Sequence, residues 1–361
     1  MDRMIADSAE RLFSTYRERS FAAMPEVAGD EAAPLPDGLW SDIEEAGFPL
    51  ALLSEEEGGF GLAAENALVL VRIAAQHAVA APLGETMIAN VLLARAGLDP
   101  VSGIASFAIN HTLRLESKGR EWHLQGRLSA VPWGRLAQTV VARVETEDGP
   151  KLVVLPHGEP RHAHNLAAEP QDDLEYDLIL PATAVTKAPP LSAEMPLLGA
   201  LLRAQGMSGV LSELLKTTVE YANERKQFGR PIGKFQAIQQ DLAILATESA
   251  AAGAAADMAS RGFSDALSDH SGADWRLAVA AAKLRCGEAA GKSAAIAHQV
   301  IAAIGFSNEY RLHPLTRRLW AWRDEFGTEN HWARYLGEIY CAQGAEGFWP
   351  LLTQPEIRGT A

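Results

Sequence analysis

The sequence predicts an α+β chain, mostly α, in which an N-terminal α-helical domain, a small β-domain and a C-terminal four-helix bundle follow one another. Three observations carry that expectation. Apolar residues recur at helical spacing up to about residue 100, short alternating runs of Val, Ile and Leu occupy 101 to about 185, and long helical stripes resume at Pro196. The domains are expected at 1–100, 101–190 and 191–361.

In the first segment Trp40, Ile43, Ala46 and Leu50 recur at helical spacing, and Leu68, Val71, Ile73 and Ala75 stripe a second stretch. The punctuation is Pro34–Pro36, Gly58-Gly59-Phe60-Gly61 and Pro82. In the middle segment Ile104, Phe107, Ile109, Leu113, Trp122 and Leu124 sit in short alternating runs. Val140, Val141 and Val144 are then separated from Leu152–Leu155 by Glu147-Asp148-Gly149, a hairpin-turn signal. Pro156 to Asp173, rich in Pro, His and Asp, reads as loop.

Four helices are expected beyond it. Leu198, Leu202, Val210, Leu214 and Val219 stripe the first, and Phe235, Ile238, Leu242 and Leu245 the second. The third covers Leu277 to Val300 and the fourth about Leu315 to Tyr340. Gly229, Pro231 and Gly233 separate the first two, Gly262 to Gly272 the next two, and Gly305 with Pro314 the last. The abundant small residues of the second and third helices allow close packing, and Ala200 and Gly206 on the first hint at room for a bulky ligand.

Composition excludes several functions. With 361 residues, 48% hydrophobic and 22% charged, the chain can bury a large core and is not a disordered one. Lys and Arg number 32 against 46 Asp and Glu, a net charge of −14, so nucleic acid and anionic membrane surfaces are not expected partners. Cys286 and Cys341 are the only cysteines, too few for a disulfide framework or a thiolate metal site. The opening residues MDRMIADSAERLF lack the apolar run of a secretion signal, and no stretch reaches the ~18 apolar residues of a membrane span. The expected location is cytoplasmic.

Two local patterns are discounted. Gly59-Phe60-Gly61-Leu62-Ala63-Ala64 matches a dinucleotide fingerprint formally, but Glu55-Glu56-Glu57 precedes it where a buried strand and an uncharged turn belong. His162-Ala163-His164 has no third ligand nearby, so no metal site is expected. Nucleophile-elbow, P-loop and zincin signatures are absent.

The strongest local signal runs from Glu224 through Arg225-Lys226-Gln227-Phe228-Gly229-Arg230-Pro231-Ile232-Gly233-Lys234-Phe235 to Gln236 and Gln239. A helix ends, a Gly/Pro turn follows and a new helix begins. Basic residues cluster at that turn in an acidic protein, an arrangement that suits a phosphate or pyrophosphate group. A solvated basic turn is the plainer alternative.

This segment closely resembles a signature of the acyl-CoA dehydrogenase family. Leu39-Trp40, Ala46-Gly47-Phe48 and Glu56-Glu57-Gly58-Gly59-Phe60-Gly61 resemble the family's N-terminal helical domain, and Gly305-Phe306-Ser307-Asn308-Glu309-Tyr310 and Phe326-Gly327-Thr328 its C-terminal motifs. The resemblance implies an N-terminal helical domain, a β-barrel-like middle domain against which a flavin ring lies, and a C-terminal four-helix bundle. It also implies α,β-dehydrogenation of an acyl-CoA thioester. A carboxylate takes the Cα proton, the Cβ hydride passes to FAD, and electrons leave to an electron-transfer flavoprotein.

Carried over by position, Arg225, Phe228 and Gln236 would hold the adenosine–pyrophosphate part of FAD in a neighbouring subunit. Gln299 and Gly305 match a second cofactor segment, where Ala302-Ala303 replaces the usual Gly-Gly, and Thr328 matches the threonine after the usual Glu-Gly. The departures concern the base. Its usual position is Phe326, with Glu325 one residue earlier and therefore rotated by ~100° on a helix. The alternative position, early in the first bundle helix, is Gly199. The middle domain lacks the Gly-Ser-Asp loop that contacts the flavin, since Ser106 to His111 reads SFAINH, although Trp122–Gly126, Val131-Pro132-Trp133-Gly134 and Ala137 keep the following strands. Arg318 replaces the aspartate expected after Arg317.

Three readings follow. The chain is one subunit of a heteromeric dehydrogenase of the bacterial kind acting on bulky, sterol-like acyl-CoAs, completing a partner's FAD site while the partner supplies the base. Or it is a self-sufficient homo-oligomer whose base is Glu325 or Glu329. Or it is a family-derived binding or structural protein without redox activity. The joint loss of base and β-loop beside a retained Arg–Gln segment favours the first.

Overall fold

A computed structural model describes residues 2–25, 31–268, 275–307 and 310–353. Its helices in chain order are α1 (Asp2–Ala22), α2 (Leu39–Glu45), α3 (Ala64–Gln76), α4 (Leu83–Arg95), α5 (Met195–Glu224), α6 (Gln236–Leu267), α7 (Trp275–Ile301), α8 (Leu312–Asp324) and α9 (Glu329–Thr353). The strands are β1 (Ala105–Ala108), β2 (Asn110–His111), β3 (Arg114–Lys118), β4 (Glu121–Pro132), β5 (Thr139–Val144), β6 (Lys151–Pro156), β7 (Glu159–Arg161), β8 (Gln171–Pro181), β9 (Val185–Lys187), β10 (Lys226–Gln227) and β11 (Arg230–Pro231). The expected order of helices, strands and helices is therefore present.

Two compact units form. One gathers residues 1–21, 63–79 and 199–361, and the other 22–62 and 80–198. The first unit is helical, and small residues set how its helices meet. Cys286 of α7 lies 3.6 Å from the carbonyl oxygens of both Ala204 on α5 and Ala252 on α6, which requires all three backbones to approach closely. Arg72 of α3 donates to Gln205 Oε1 on α5 at 2.8 Å and to Asp257 Oδ1 on α6 at 2.5 Å. Gln205 in turn donates to the Ala256 carbonyl at 2.7 Å, so the polar groups between these helices are mutually satisfied. Helix α1 buries Ala9, Phe13, Tyr16 and Ser20 along one face and pairs Arg17 with the buried Glu213 of α5.

Two expectations for this unit need correction. The fourth helix is two helices, α8 and α9, interrupted by a turn in which Phe326 and Gly327 take φ values of 53° and 101°. Nor does Gly206 leave room for a ligand: a Cβ there would lie 2.7 Å from the Trp322 ring, which already fills the space. Ala200 is likewise fully buried in the packed interior.

In the second unit, β1-β5-β6-β9 form a four-stranded sheet and β2-β4-β8-β7, with β3 on β4, a five-stranded one. Strands β5 and β6 pair antiparallel across the turn at Gly149 (φ 95°), as the hairpin signal predicted. Leu124, Leu128, Val131, Val140, Val153, Leu155 and Leu174 share one buried core, and neither sheet closes into a barrel among the described residues. The segment Pro156 to Asp173 is not simply loop. It contains β7 and the start of β8, and Asp172 inside it is fully buried, accepting from the Arg135 backbone N–H at 2.7 Å and its guanidinium at 2.7 Å. Gly59 opens no nucleotide-binding turn: the preceding element is the 3₁₀ turn Phe48–Leu50, not a strand. His162 and His164 gather no further ligand, and no group of three or more metal-ligating side chains occurs among the described residues. No helix there is long and apolar enough to cross a membrane.

Two outcomes are expected. The Cys286 thiol is fully buried and its pKa is pushed up to about 12 by desolvation, whereas Cys341 is exposed. A thiol reagent at pH 8 should therefore modify one cysteine in the native chain and both after denaturation. Gly206→Ala should lower stability by roughly 1–3 kcal/mol through overpacking against Trp322, read from denaturant unfolding.

Candidate cofactor-binding site

Helix α5 ends as the Arg225 N–H donates to the Tyr221 carbonyl at 2.9 Å. A minimal hairpin follows: Lys226 pairs with Pro231 and Gln227 with Arg230, leaving Phe228 and Gly229 as its two-residue tip. Both tip residues have positive φ, 50° and 80°, the geometry that matches the natural twist of paired strands. Glycine adopts it freely, but phenylalanine does so against its steric preference. The Phe228 ring is nonetheless 92% exposed, its centroid 6.1 Å from that of Phe235 in an edge-to-face pair. The Ile232 N–H closes the turn on the Arg225 carbonyl at 2.8 Å, and Phe235, in extended conformation, starts α6 at Gln236. Arg225, Lys226, Lys234 and Gln236 are all exposed, and no acidic side chain among the described residues pairs with the three cations. Arg230 stacks on Phe235 at 4.3 Å. The hairpin thus holds out an aromatic ring and unneutralised cations on a short, hydrogen-bonded support, a surface suited to a phosphorylated aromatic group.

The second segment lies at the end of α7. Gln299 is exposed there, and Ala302 opens a 3₁₀ turn, Ala302–Phe306, with φ 60°. Ala302 therefore keeps the left-handed backbone a glycine would take, with its methyl added. Gly305 is buried, and a Cβ on it would come within 2.8 Å of Leu312. Asn308 and Glu309 of the same motif lie outside the described residues.

The third segment is the α8–α9 turn, and here the two expected base positions meet. A Cβ built on Gly199 would clash with the Phe326 ring. One side chain therefore fills both positions, and neither offers a carboxylate. Glu325 is bound instead by Arg203 of α5, with Nε–Oε2 at 2.5 Å and both side chains 10% exposed. The Arg203 guanidinium also lies 5.4 Å from the Phe326 ring and 5.8 Å from Trp322. Glu329 accepts from Arg323 Nε at 2.8 Å. Glu325 and Glu329 are thus each engaged by a guanidinium that occupies their lone pairs. Thr328 is exposed at the start of α9, its Oγ1 3.4 Å from the His331 N–H.

Arg203, Trp322 and Lys283 were not picked out from the sequence. The available signal was a single cation inside an apolar helical run, as in Leu201-Leu202-Arg203-Ala204 and Ala281-Ala282-Lys283-Leu284. Lys283 is 1% exposed, and burial lowers its pKa to about 8 even though Glu329 and Glu325 lie near.

In the second unit the corner expected to face a flavin ring is closed on itself. Ser106 is fully buried and its Oγ donates to the Pro132 carbonyl at 2.6 Å. Trp133 is 4% exposed, with its N–H on the Pro170 carbonyl at 2.8 Å, and the next turn is fixed by the Arg135–Asp172 pair. The polar groups of this corner are spent on the chain's own backbone, so its residues do not fit a flavin ring, whereas the hairpin of the first unit fits the adenosine–pyrophosphate end of FAD. A cavity of about 640 Å³ on the five-stranded sheet is lined by Arg127, His157, Glu159, Glu175, Tyr176 and Asp177, none of them a candidate residue.

Residues 198–337 match the family model for the acyl-CoA dehydrogenase C-terminal domain. The chain is 29% identical over 227 residues to acyl-CoA dehydrogenase FadE27 of Mycobacterium tuberculosis, covering 57% of this chain and 61% of that protein. The chain thus spans less than two thirds of that relative's length. Among solved structures, the ChsE4-ChsE5 complex of the same bacterium superposes with a TM-score of 0.82 at 20% identity, covering 95% of this chain and 97% of the other. A variant of the Tcur3481-Tcur3483 steroid ACAD gives 0.79 at 22% identity, covering 96% and 98%. The chain thus matches the acyl-CoA dehydrogenase C-terminal domain over residues 198–337 and has the acyl-CoA dehydrogenase fold.

Proposed function

We propose that this chain is the base-lacking subunit of a heteromeric, FAD-dependent acyl-CoA dehydrogenase of the cytoplasm. It presents Arg225, Phe228 and Gln236, with Gln299, Gly305 and Thr328, to the FAD of a partner subunit, and the partner contributes the catalytic carboxylate. The observation that carries the reading is the occupation of positions 199 and 326 by one phenyl ring. A base that takes a Cα proton needs a free carboxylate at hydrogen-bond range, and this turn offers none. The exposed hairpin supports the other half of the proposal: its cations and the Phe228 ring are placed to be used by something outside the chain. FAD, when bound, supplies the hydride acceptor; this subunit's residues bind and orient its phosphorylated end. The self-sufficient reading would need Glu325 or Glu329 as base, and each is held by an arginine. The FadE27 relative, the ChsE4-ChsE5 complex and the Tcur3481-Tcur3483 steroid ACAD support an acyl-CoA substrate with a bulky, sterol-like chain, and an electron-transfer flavoprotein as acceptor follows from the same chemistry.

Purified alone, the chain should be colourless; co-expressed with the base-bearing partner it should yield a yellow complex that acyl-CoA bleaches. Stoichiometric FAD on the isolated chain, bleached by acyl-CoA, would overturn the proposal. In the complex, Arg225→Ala should weaken FAD retention by about tenfold, the loss of one charge-assisted contact, as followed by flavin release on dilution. Glu325→Gln should leave turnover per bound flavin unchanged but lower the stability of the chain by roughly 3 kcal/mol, because Arg203 is left buried without its counter-ion. A large fall in turnover per flavin would restore Glu325 as a base.

A further inference from the structure

The α8–α9 turn has few backbone bonds of its own, and side chains from elsewhere satisfy its carbonyls. The Nζ of Lys283, one helix away on α7, donates to the Arg323 carbonyl at 2.8 Å and to the Gly327 carbonyl at 2.8 Å. Trp332 Nε1 donates to the Phe326 carbonyl at 3.1 Å. Gly287, one turn beyond Lys283, has no side chain because Glu329 lies against it, a Cβ there falling 2.7 Å from Oε1. A buried cation thus closes the C-terminus of α8, where the helix dipole favours positive charge, and bridges to the turn's last carbonyl. Phe326 and Gly327, the two left-handed residues, lie between its two bonds.

We propose that Lys283 is the positioning residue of the α8–α9 turn: its two bonds hold Phe326 over Gly199 and set Thr328 at the start of α9. Opening the turn breaks both bonds and returns the ammonium to water. The charged and titratable groups facing it are Glu325 from the turn, Glu329 from α9, Arg203 from α5 and Cys286 from α7 itself. Burial outweighs the two carboxylates, so the closed turn holds its proton less tightly than the open one, about 8 against an ordinary 10.5. The sign follows by linkage. Between these values the open turn binds more protons, so raising the pH makes opening harder, and below about pH 8 the effect vanishes. The neutral amine still has two N–H groups for the two carbonyls.

This inference rests on the proposed function only where Thr328 is taken to face a cofactor. Hydrogen exchange of the full-length chain tests it without any cofactor, so its failure and that of the proposed function are distinguishable. After correction for intrinsic exchange, the opening constant of amides 326–332 should fall about five- to tenfold between pH 8.5 and 9.5, with little change in the middle of α5. In Lys283→Met the pH dependence should disappear, and opening at pH 7 should rise about tenfold as two buried carbonyls lose their donor. A flat pH series in the unaltered chain would overturn the proposal, as would a Met variant that keeps the dependence. If that variant does not fold, the series on the unaltered chain decides alone.

Discussion

Glycines on the bundle helices, and the large groups seated on them, are the constraint from which the rest of the helical unit follows. Gly199 receives the Phe326 ring, Gly206 the Trp322 ring, Gly209 the Arg72 carbonyl and Gly287 the Glu329 carboxylate. Each is a place where one element rests directly on another's backbone, and a single methyl would separate them. Three of these contacts converge on the short stretch from Trp322 to Glu329. That stretch is therefore defined by what lies against it: the ring sits over Gly199, and the two acids of the turn, Glu325 and Glu329, are each held by an arginine.

Charge is distributed in two opposite ways. Inside, Arg203 and Lys283 are buried and bound, one by a carboxylate and the other by carbonyls, so each fixes a geometry at the expense of its own hydration. Outside, on a chain of net charge −14, the hairpin cations have no carboxylate partner among the described residues and surround an exposed ring. Buried cations bind the chain to itself, and the exposed ones remain available to another molecule. The same residue types thus separate the closed turn from the open hairpin.

What could be read from the sequence was what is local in it. The hairpin between α5 and α6 is legible because its tip, its cations and the helix start lie within a dozen or so neighbours, and Gly229 and Pro231 punctuate it. The hairpin at Gly149 is legible for the same reason. The break between α8 and α9 was hidden, because the stripe of Leu315, Leu319 and Trp322 runs on to Leu336 and the interruption depends on a lysine of another helix. Strand β8 was hidden by Asp172, a charged residue in a loop-like composition, buried only because Arg135 reaches it. The missing carboxylate was visible as two unexpected letters at 199 and 326. That the two letters are one event, a ring and the absence of a side chain beneath it, required the fold.

That reciprocity limits what a single substitution can do. A carboxylate restored at 326 would abandon the ring's place above Gly199 and introduce an acid beside the Arg203–Glu325 pair. One restored at 199 would collide with the ring. The two positions are therefore neighbours whose substitutions will not add. With the phenyl ring seated on the bare helix backbone, an acid at 199 can be accommodated only if the ring is removed as well, so that position changes in company with 326 or not at all.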